Sequence, residues 1–490
     1  MDKIRIQNLR ALKDTQEIEL RPLTLLVGAN STGKSTFLRT FPLLRQGLLV
    51  NKQGPILWYG SEVDFGSFQN AVTHGNDSMS LSFFWKKIQD PWRLRAQNDI
   101  CVNNVSVNIC ISKKKDDSYL SSLIIVFEDD QKITINFNDI SMSSYKLTIN
   151  DVEIEKYSMQ THLYPYSNSS LIPLIGVASE QSNIEYIQSL LNEICEENGK
   201  PISTIDIKED NLYIGSKNYF INSINKIFNI SLPETILTNP KWEKINNLLI
   251  ARKMDWLLRI IDLTLHLELA QSIYIKPFRV SAERYYRIQN LSVNRLDSDG
   301  HNLAMYIQDM YKNPRTRKKF QEWTKNNFKF VIESQKKQGH ISLSIKENGE
   351  YQPSNIIDKG YGYSQILPIV ITLWQIHNDS KATMDTSRII AIEQPELHLH
   401  PKLQINLIDT IIAVINHAMS IGIDIKFVIE THSQTLINRV GSLIADNDYA
   451  ADNVSILLFH EKGQKNNPQI ANYLSNGHLS NWPIGFFNPI

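Results

Sequence analysis

The sequence predicts an α/β fold, a mixed or parallel sheet flanked by helices and interrupted by an inserted α+β accessory region. Three observations predict it. A Gly-rich segment, Gly28-Ala29-Asn30-Ser31-Thr32-Gly33-Lys34-Ser35, follows an apolar run and precedes a helical pattern. Two further apolar runs, Arg388 to Ile392 and Ile425 to Ile429, frame a helical stretch near 401–420, an alternation typical of parallel sheets. Between these ends, residues 81–270 carry only short alternating segments followed by helical patterns.

Composition sets the outer bounds. The chain has 490 residues, more than one ordinary domain uses, with 42% hydrophobic and 21% charged residues, so it can bury a sizeable core. Lys and Arg total 51 and Asp and Glu total 51, so there is no global basic excess of the kind that marks a dedicated nucleic-acid binder. The three cysteines, Cys101, Cys110 and Cys195, lack the number and spacing of a disulfide framework or zinc site, which fits a reducing compartment. The segment Met1-Asp2-Lys3-Ile4-Arg5-Ile6 has no apolar leader core, and no run approaches the ~18 apolar residues of a membrane span. The expected location is the cytoplasm, with no membrane partner.

Taken in order, Ile4 and Ile6 alternate with charged residues, and Ile18 and Leu20 follow a polar turn. That pattern reads as a hairpin feeding the buried strand Leu23 to Val27. Phe37, Leu38, Phe41, Leu44 and Leu48 then recur at helical spacing across Thr36 to Leu49, with Pro42 as a candidate kink. Leu123 to Phe127, Ile133 to Phe137 and Tyr145 to Ile149 read as strands, and 183–197 and 241–271 as helices. The expected division is 1–80, an N-terminal lobe carrying the Gly-rich loop; 81–270, the insertion; and 271–490, a C-terminal lobe.

The chemistry lies in four segments. A Gly-rich turn between strand and helix exposes successive backbone N–H groups at the positive end of a helix, where phosphate oxygens bind. Asn30, Ser31, Thr32, Gly33, Lys34, Ser35 and Thr36 are therefore the expected nucleotide ligands, with Lys34 on the β and γ phosphates and Ser35 on Mg²⁺. The run Ile389-Ile390-Ala391-Ile392 ends in Glu393-Gln394-Pro395-Glu396, so Glu393 is the candidate second residue on the metal side. Gln394 stands where a catalytic carboxylate is common, and an amide cannot take a proton from water, so slow hydrolysis or a base role for Glu396 is expected. Glu430-Thr431-His432-Ser433 ends the next apolar run, making His432 a candidate γ-phosphate sensor at a strand's C-terminal end. In Asp358-Lys359-Gly360-Tyr361-Gly362-Tyr363-Ser364-Gln365, glycines, Ser364 and Gln365 precede the helical run Ile366 to Trp374 and form a second candidate anion cradle. His398 and His400 sit at a turn without cysteine partners, which argues against zinc.

Together these segments resemble the ABC-type ATPases of the structural-maintenance, recombination-repair and OLD group. The P-loop 28–35, a signature-like 358–365, a Walker B strand 389–396 and a switch motif 430–433 stand in that group's order. Val63-Asp64-Phe65-Gly66-Ser67-Phe68, Ser281-Ala282-Glu283-Arg284-Tyr285-Tyr286 and the ending Asn481-Trp482-Pro483-Ile484-Gly485-Phe486-Phe487 are similar to segments of its stand-alone prokaryotic members. The resemblance implies an ABC-type P-loop ATPase head with ATP and Mg²⁺ as cofactors. It further implies a homo-oligomer in which the P-loop of one copy faces Ser364 and Gln365 of another. The stretch after His432 is too short for the Toprim nuclease domain many relatives carry, and Asp446-Asn447-Asp448 reads as a solvated turn.

Stand-alone members of this kind are similar to the ATPase subunits of two-gene anti-phage systems, first the AriA type of PARIS and second the PtuA type of Septu. The expected partners are then a separately encoded Toprim-like effector nuclease and a phage-encoded trigger. The rival reading is a DNA-repair or chromosome-maintenance ATPase that clamps duplex DNA, for which Lys113-Lys114-Lys115 and Arg315, Arg317, Lys318 and Lys319 supply local basic runs. A transporter's ATP-driving subunit is disfavoured by the long insertion and the variant signature.

Overall fold

The computed structural model describes residues 1–52, 54–89, 101–115, 117–138, 144–154, 161–164, 170–177, 181–199, 221–222, 225, 234–288, 295–378, 387–460 and 467–483. The segment Ile484-Gly485-Phe486-Phe487 lies outside them. The chain forms two compact units, Met1–Ile18 with Leu44–Ala270, and Glu19–Leu43 with Gln271–Ile490.

The second unit is α/β. Among the described residues its main sheet has seven strands in the order Ile273–Ile275, Arg388–Glu393, Ile425–Glu430, Leu23–Gly28, Val454–Phe459, Gln469–Tyr473, Leu479–Ser480. The first five run parallel and the last two antiparallel, so the sheet is mixed. Every residue of Leu23–Gly28, Ile425–Glu430 and Val454–Phe459 is buried, as expected for central parallel strands covered on both faces. Such strands read as continuous apolar runs rather than as alternations. The core also takes in Phe320, Phe328, Ile366, Ile369, Leu373, Leu407, Ile411 and Val440 from the helices. Each such side chain contributes roughly 1.5–3 kcal/mol of burial.

Local signals set the helix ends. The helix Pro401–Ser420 starts with proline at its first position and is capped by His400, whose Nδ1 accepts from the Lys402 N–H at 3.3 Å. This gives His400 a capping role. The helix Gln434–Ala445 is capped by Ser433, whose hydroxyl accepts from the Leu436 N–H at 3.1 Å. Asp446, Asn447 and Asp448 form the exposed turn at its far end, with Asn447 at φ 62°. A smaller antiparallel sheet of Phe330–Lys337, His340–Glu347, Tyr286–Arg287 and Ser354–Asn355 completes the unit.

The first unit is α+β. Its sheet is an antiparallel meander running through Val152–Glu153, Tyr145–Ile149, Gln131–Phe137, Asp117–Phe127, Cys101–Lys114 and Ser78–Gln89 to Lys3–Leu9 and Leu12–Asp14. The helices Gln181–Glu197 and Pro240–Ala270 follow. Here the division differs from the expected 1–80, 81–270 and 271–490. Lys3–Leu9 pairs with Ser78–Gln89 from Lys3↔Phe84 to Gln7↔Ser80, so the first strand and residues 44–80 belong with the accessory sheet and not with the P-loop strand. The hairpin of the first strand with Leu12–Asp14 shows the expected alternation, with Ile4 and Ile6 fully buried.

Candidate functional site

All four motif segments belong to the second unit, and its strand order brings three of them side by side. The P-loop follows the strand Leu23–Gly28, the Glu430 strand is its direct neighbour, and the Glu393 strand lies next beyond, with Glu393 opposite Glu430 in register. The carboxyl ends of parallel strands are where ligands gather in open α/β sheets.

The loop can take its shape only through its glycines. Gly28 has φ 149°, and a Cβ there would sit 2.3 Å from the Phe459 carbonyl oxygen, so no other residue fits. Gly33 has φ 107°, and Ser31 also adopts a left-handed conformation at φ 62°. The helix Lys34–Leu48 begins directly after them, with Pro42 in its interior. The Lys34 side chain folds back into the loop, donating to the carbonyls of Gly28 at 2.9 Å and Ala29 at 2.6 Å. Burial lowers its pKa, opposed by the charge of Glu430. A buried ammonium held by loop carbonyls, among backbone amides at a helix start, fits a triphosphate that would replace those carbonyls as its partner.

Glu393 is 2% exposed and fully engaged. Arg39, on the P-loop helix, donates to both carboxylate oxygens at 2.7 and 2.8 Å, and the Tyr274 hydroxyl adds a bond at 2.7 Å. The carboxylate raises the Arg39 pKa, chiefly through that bidentate bond, while burial and then the neighbouring carboxylate raise the Tyr274 pKa. Behind them lies Arg279, buried, whose Nη2 donates to the Glu393 carbonyl at 3.0 Å. Burial lowers its pKa to about 10 against the pull of Glu396 and Glu393. Gln394 follows at φ 42°, its N–H bonded to the Glu430 carbonyl at 2.8 Å.

Glu396 accepts from the His432 N–H at 2.7 Å, and burial raises its pKa. That bond comes from the His432 main chain, so it ties the Glu396 carboxylate to the start of the switch segment. Partial burial and then the charge of Lys34 keep the His432 imidazole pKa below its ordinary value. An imidazole that is neutral near pH 7 can accept or donate a hydrogen bond to a phosphate without carrying charge.

The signature-like segment departs from its expected form. The helix begins at Tyr361 and runs to Asn378, so Ser364 and Gln365 lie inside its first turns and not before it. Gly360, at φ 94°, marks the switch from the short 3₁₀ turn Ile356–Lys359. The Ser364 hydroxyl donates back to the Tyr361 carbonyl at 2.6 Å, and Gln365 exchanges two bonds with the Arg279 backbone at 3.2 and 3.1 Å. Both side chains are buried. Arg284 forms a bidentate pair with Asp358, at 3.0 and 2.5 Å, tying the 281–286 segment to the signature-like one.

Four residues of this network escape the sequence reading: Arg39, Tyr274, Arg279 and Glu430. Glu430 carried the best available signal, an acid closing a strand that is otherwise apolar but for Lys426. Arg39 showed only as one polar position on a helix.

A phosphate-binding loop, a buried lysine and acids at neighbouring parallel strand ends define a P-loop ATPase. The family comparison agrees. A model described as an AAA ATPase domain matches residues 1–437, and the chain belongs to that family. No curated protein matches it. Among solved structures, the chain is similar to an Smc head domain with an extended coiled coil bound to the C-terminal domain of ScpA, from Pyrococcus furiosus. That match has 9% identity over 96% of this chain and 95% of the other, at TM-score 0.36. It is also similar to an SMC head domain from Thermotoga maritima, at 7% identity over 96% and 98% of the two chains and TM-score 0.33. With scores this low neither likeness decides the fold, which stands on strand order and on the family. Among the described residues, no helix is long and apolar enough to cross a membrane.

Proposed function

We propose that this chain binds Mg·ATP in the loop 28–36 and hydrolyses it slowly, acting as an ABC-type, ATP-gated oligomeric scaffold of an anti-phage system with a separately encoded effector nuclease. The observation that carries the nucleotide part is the convergence of Lys34, Ser35, Glu393, Glu430, Glu396 and His432 at adjoining strand ends. Slow turnover is supported by Gln394, whose amide cannot act as a base, with Glu396, which accepts from the main-chain N–H of His432, left as the neighbouring carboxylate for that role.

The gating part takes the nucleotide as a bridge between two copies. The buried Ser364 and Gln365 side chains leave the backbone amides at the start of the helix Tyr361–Asn378 as the groups that would meet a partner's phosphate. The defence part rests on the resemblance of the motif series to the AriA-type and, second, PtuA-type ATPases. Co-expression with the neighbouring reading frame, pull-down with and without ATP, and phage challenge test it. Wild type should retain a nuclease and protect, and Lys34→Ala should do neither.

The rival reading, a DNA-clamping maintenance ATPase, is favoured by one observation. Arg315, Arg317, Lys318 and Lys319 are all exposed on the helix Pro314–Phe328. Duplex DNA co-purifying in an ATP-dependent, strongly salt-sensitive manner, with no protein partner, would support that reading instead.

A further inference from the structure

Arg279 follows the strand Ile273–Ile275 and is 2% exposed, with two of its guanidinium nitrogens, Nε and Nη1, buried and without a hydrogen-bond partner. The third, Nη2, donates to the Glu393 carbonyl at 3.0 Å and reaches the Gln394 carbonyl at 3.5 Å. Taking a guanidinium out of water is costly, and two carbonyl oxygens answer only part of that cost. The carboxylate charges that act on Arg279 are Glu396 first and Glu393 second. Glu393 is already held by Arg39 and Tyr274. Glu396 is not, since one oxygen takes the His432 N–H at 2.7 Å while Oε2 is buried with no partner. Glu430 also has an unpaired Oε2, yet the cations acting on it are Lys34 and Arg39.

The Arg279 main chain is fixed elsewhere. Its N–H donates to Gln365 Oε1 at 3.2 Å, and its carbonyl accepts from Gln365 Nε2 at 3.1 Å. Gln365 is buried in the first turns of the helix Tyr361–Asn378. One residue thus joins the signature-like helix, through its backbone, to the end of the Glu393 strand, through its side chain. We propose that Arg279 is a positioning residue for hydrolysis: its guanidinium supplies the positive charge that the Glu396 carboxylate works against, and its backbone ties that charge to the signature-like helix. The inference rests on the reading of Glu396 as base and adds the group through which that base is set. Burial pushes the Glu396 carboxyl up, the His432 N–H and the Thr431 side chain oppose it from the switch segment, and Arg279 is the cation that opposes it as well.

The test follows phosphate release in single turnovers of the full chain with Mg·ATP, from about pH 5 to about pH 9. Arg279→Gln should slow release near neutral pH about tenfold and move the acidic limb of the profile up by about 1 pH unit, because Glu396 then keeps its proton to higher pH. Arg279→Lys keeps the charge and should leave the limb within about 0.3 pH unit of wild type. ATPγS affinity should stay within about threefold of wild type in both, which reports a folded nucleotide site. The double variant Arg279→Gln/Glu396→Gln leaves neither charge buried, so it should fold even where Arg279→Gln does not, and should be no slower than Glu396→Gln alone. An arginine with a structural role only would lower the unfolding temperature and leave the limb in place. That result, or a double variant that multiplies the two single losses, would overturn the inference. If Glu396→Gln hydrolysed ATP at the wild-type rate, the base reading would fall and take this inference with it; a slowed Glu396→Gln beside an unshifted Arg279→Gln would remove this inference alone.

Discussion

Replacing Arg39 with methionine removes the guanidinium from a carboxylate that is 2% exposed, while keeping a good helix former at that position. Exposed ion pairs contribute about 0–1 kcal/mol, whereas stripping one partner from a buried pair costs about 3–5 kcal/mol. The Arg39 side chain is 34% exposed against 2% for Glu393, and Tyr274 still bonds the carboxylate, so the expected loss falls between these limits, at about 2–3 kcal/mol. In scanning calorimetry that corresponds to about 5–10 °C in the transition of the α/β unit. The cause is an uncompensated charge, so the double variant Arg39→Met/Glu393→Gln should be about 1 kcal/mol or more stabler than Arg39→Met alone. An Arg39→Met transition within about 1 °C of wild type, or a double variant showing the sum of both single losses, would refute the reasoning.

Three other outcomes follow from the same geometry. Gly28→Ala puts a methyl group 2.3 Å from the Phe459 carbonyl and should cost about 2–5 kcal/mol, read as a lowered urea midpoint; an unchanged midpoint would mean the loop is slack. Burial raises the Glu396 pKa, so its contribution to stability is whole below the unfolded value near 4.3 and is lost as pH rises through the folded value; Glu396→Gln should therefore gain on wild type as pH rises above about 4 in denaturant titrations, and a constant difference would contradict the shift. Gln394→Glu should raise phosphate release about tenfold or more if the amide limits turnover, and an unchanged rate would leave Glu396 as the sufficient base.

The residues legible in the sequence are those whose chemistry is local. Gly28, Gly33, Lys34 and Ser35 are adjacent in the chain, and the backbone needs their types in that order. Buried parallel strands announce themselves as apolar runs, so the acids and the histidine at their ends stand out. What stayed hidden depends on contacts between distant segments. Arg39 and Tyr274 acquire meaning only once Ile273–Ile275 and the P-loop helix flank Glu393. Glu430 matters because its strand lies between the other two, an order no local pattern encodes. Lys3–Leu9 looked like part of the P-loop lobe because it precedes it, yet its pairing partner is Ser78–Gln89. The signature-like segment misled for a related reason: its glycines suggested a loop, while the Tyr361–Asn378 helix already holds Ser364 and Gln365 in its first turns.

Equilibrium titration of ATPγS with Mg²⁺ into wild type and Lys34→Ala addresses the phosphate grip itself. Saturable wild-type binding, weakened about 100-fold or more once the buried ammonium is gone, is the predicted result. Equal affinity in the two proteins, or none in wild type, would contradict it.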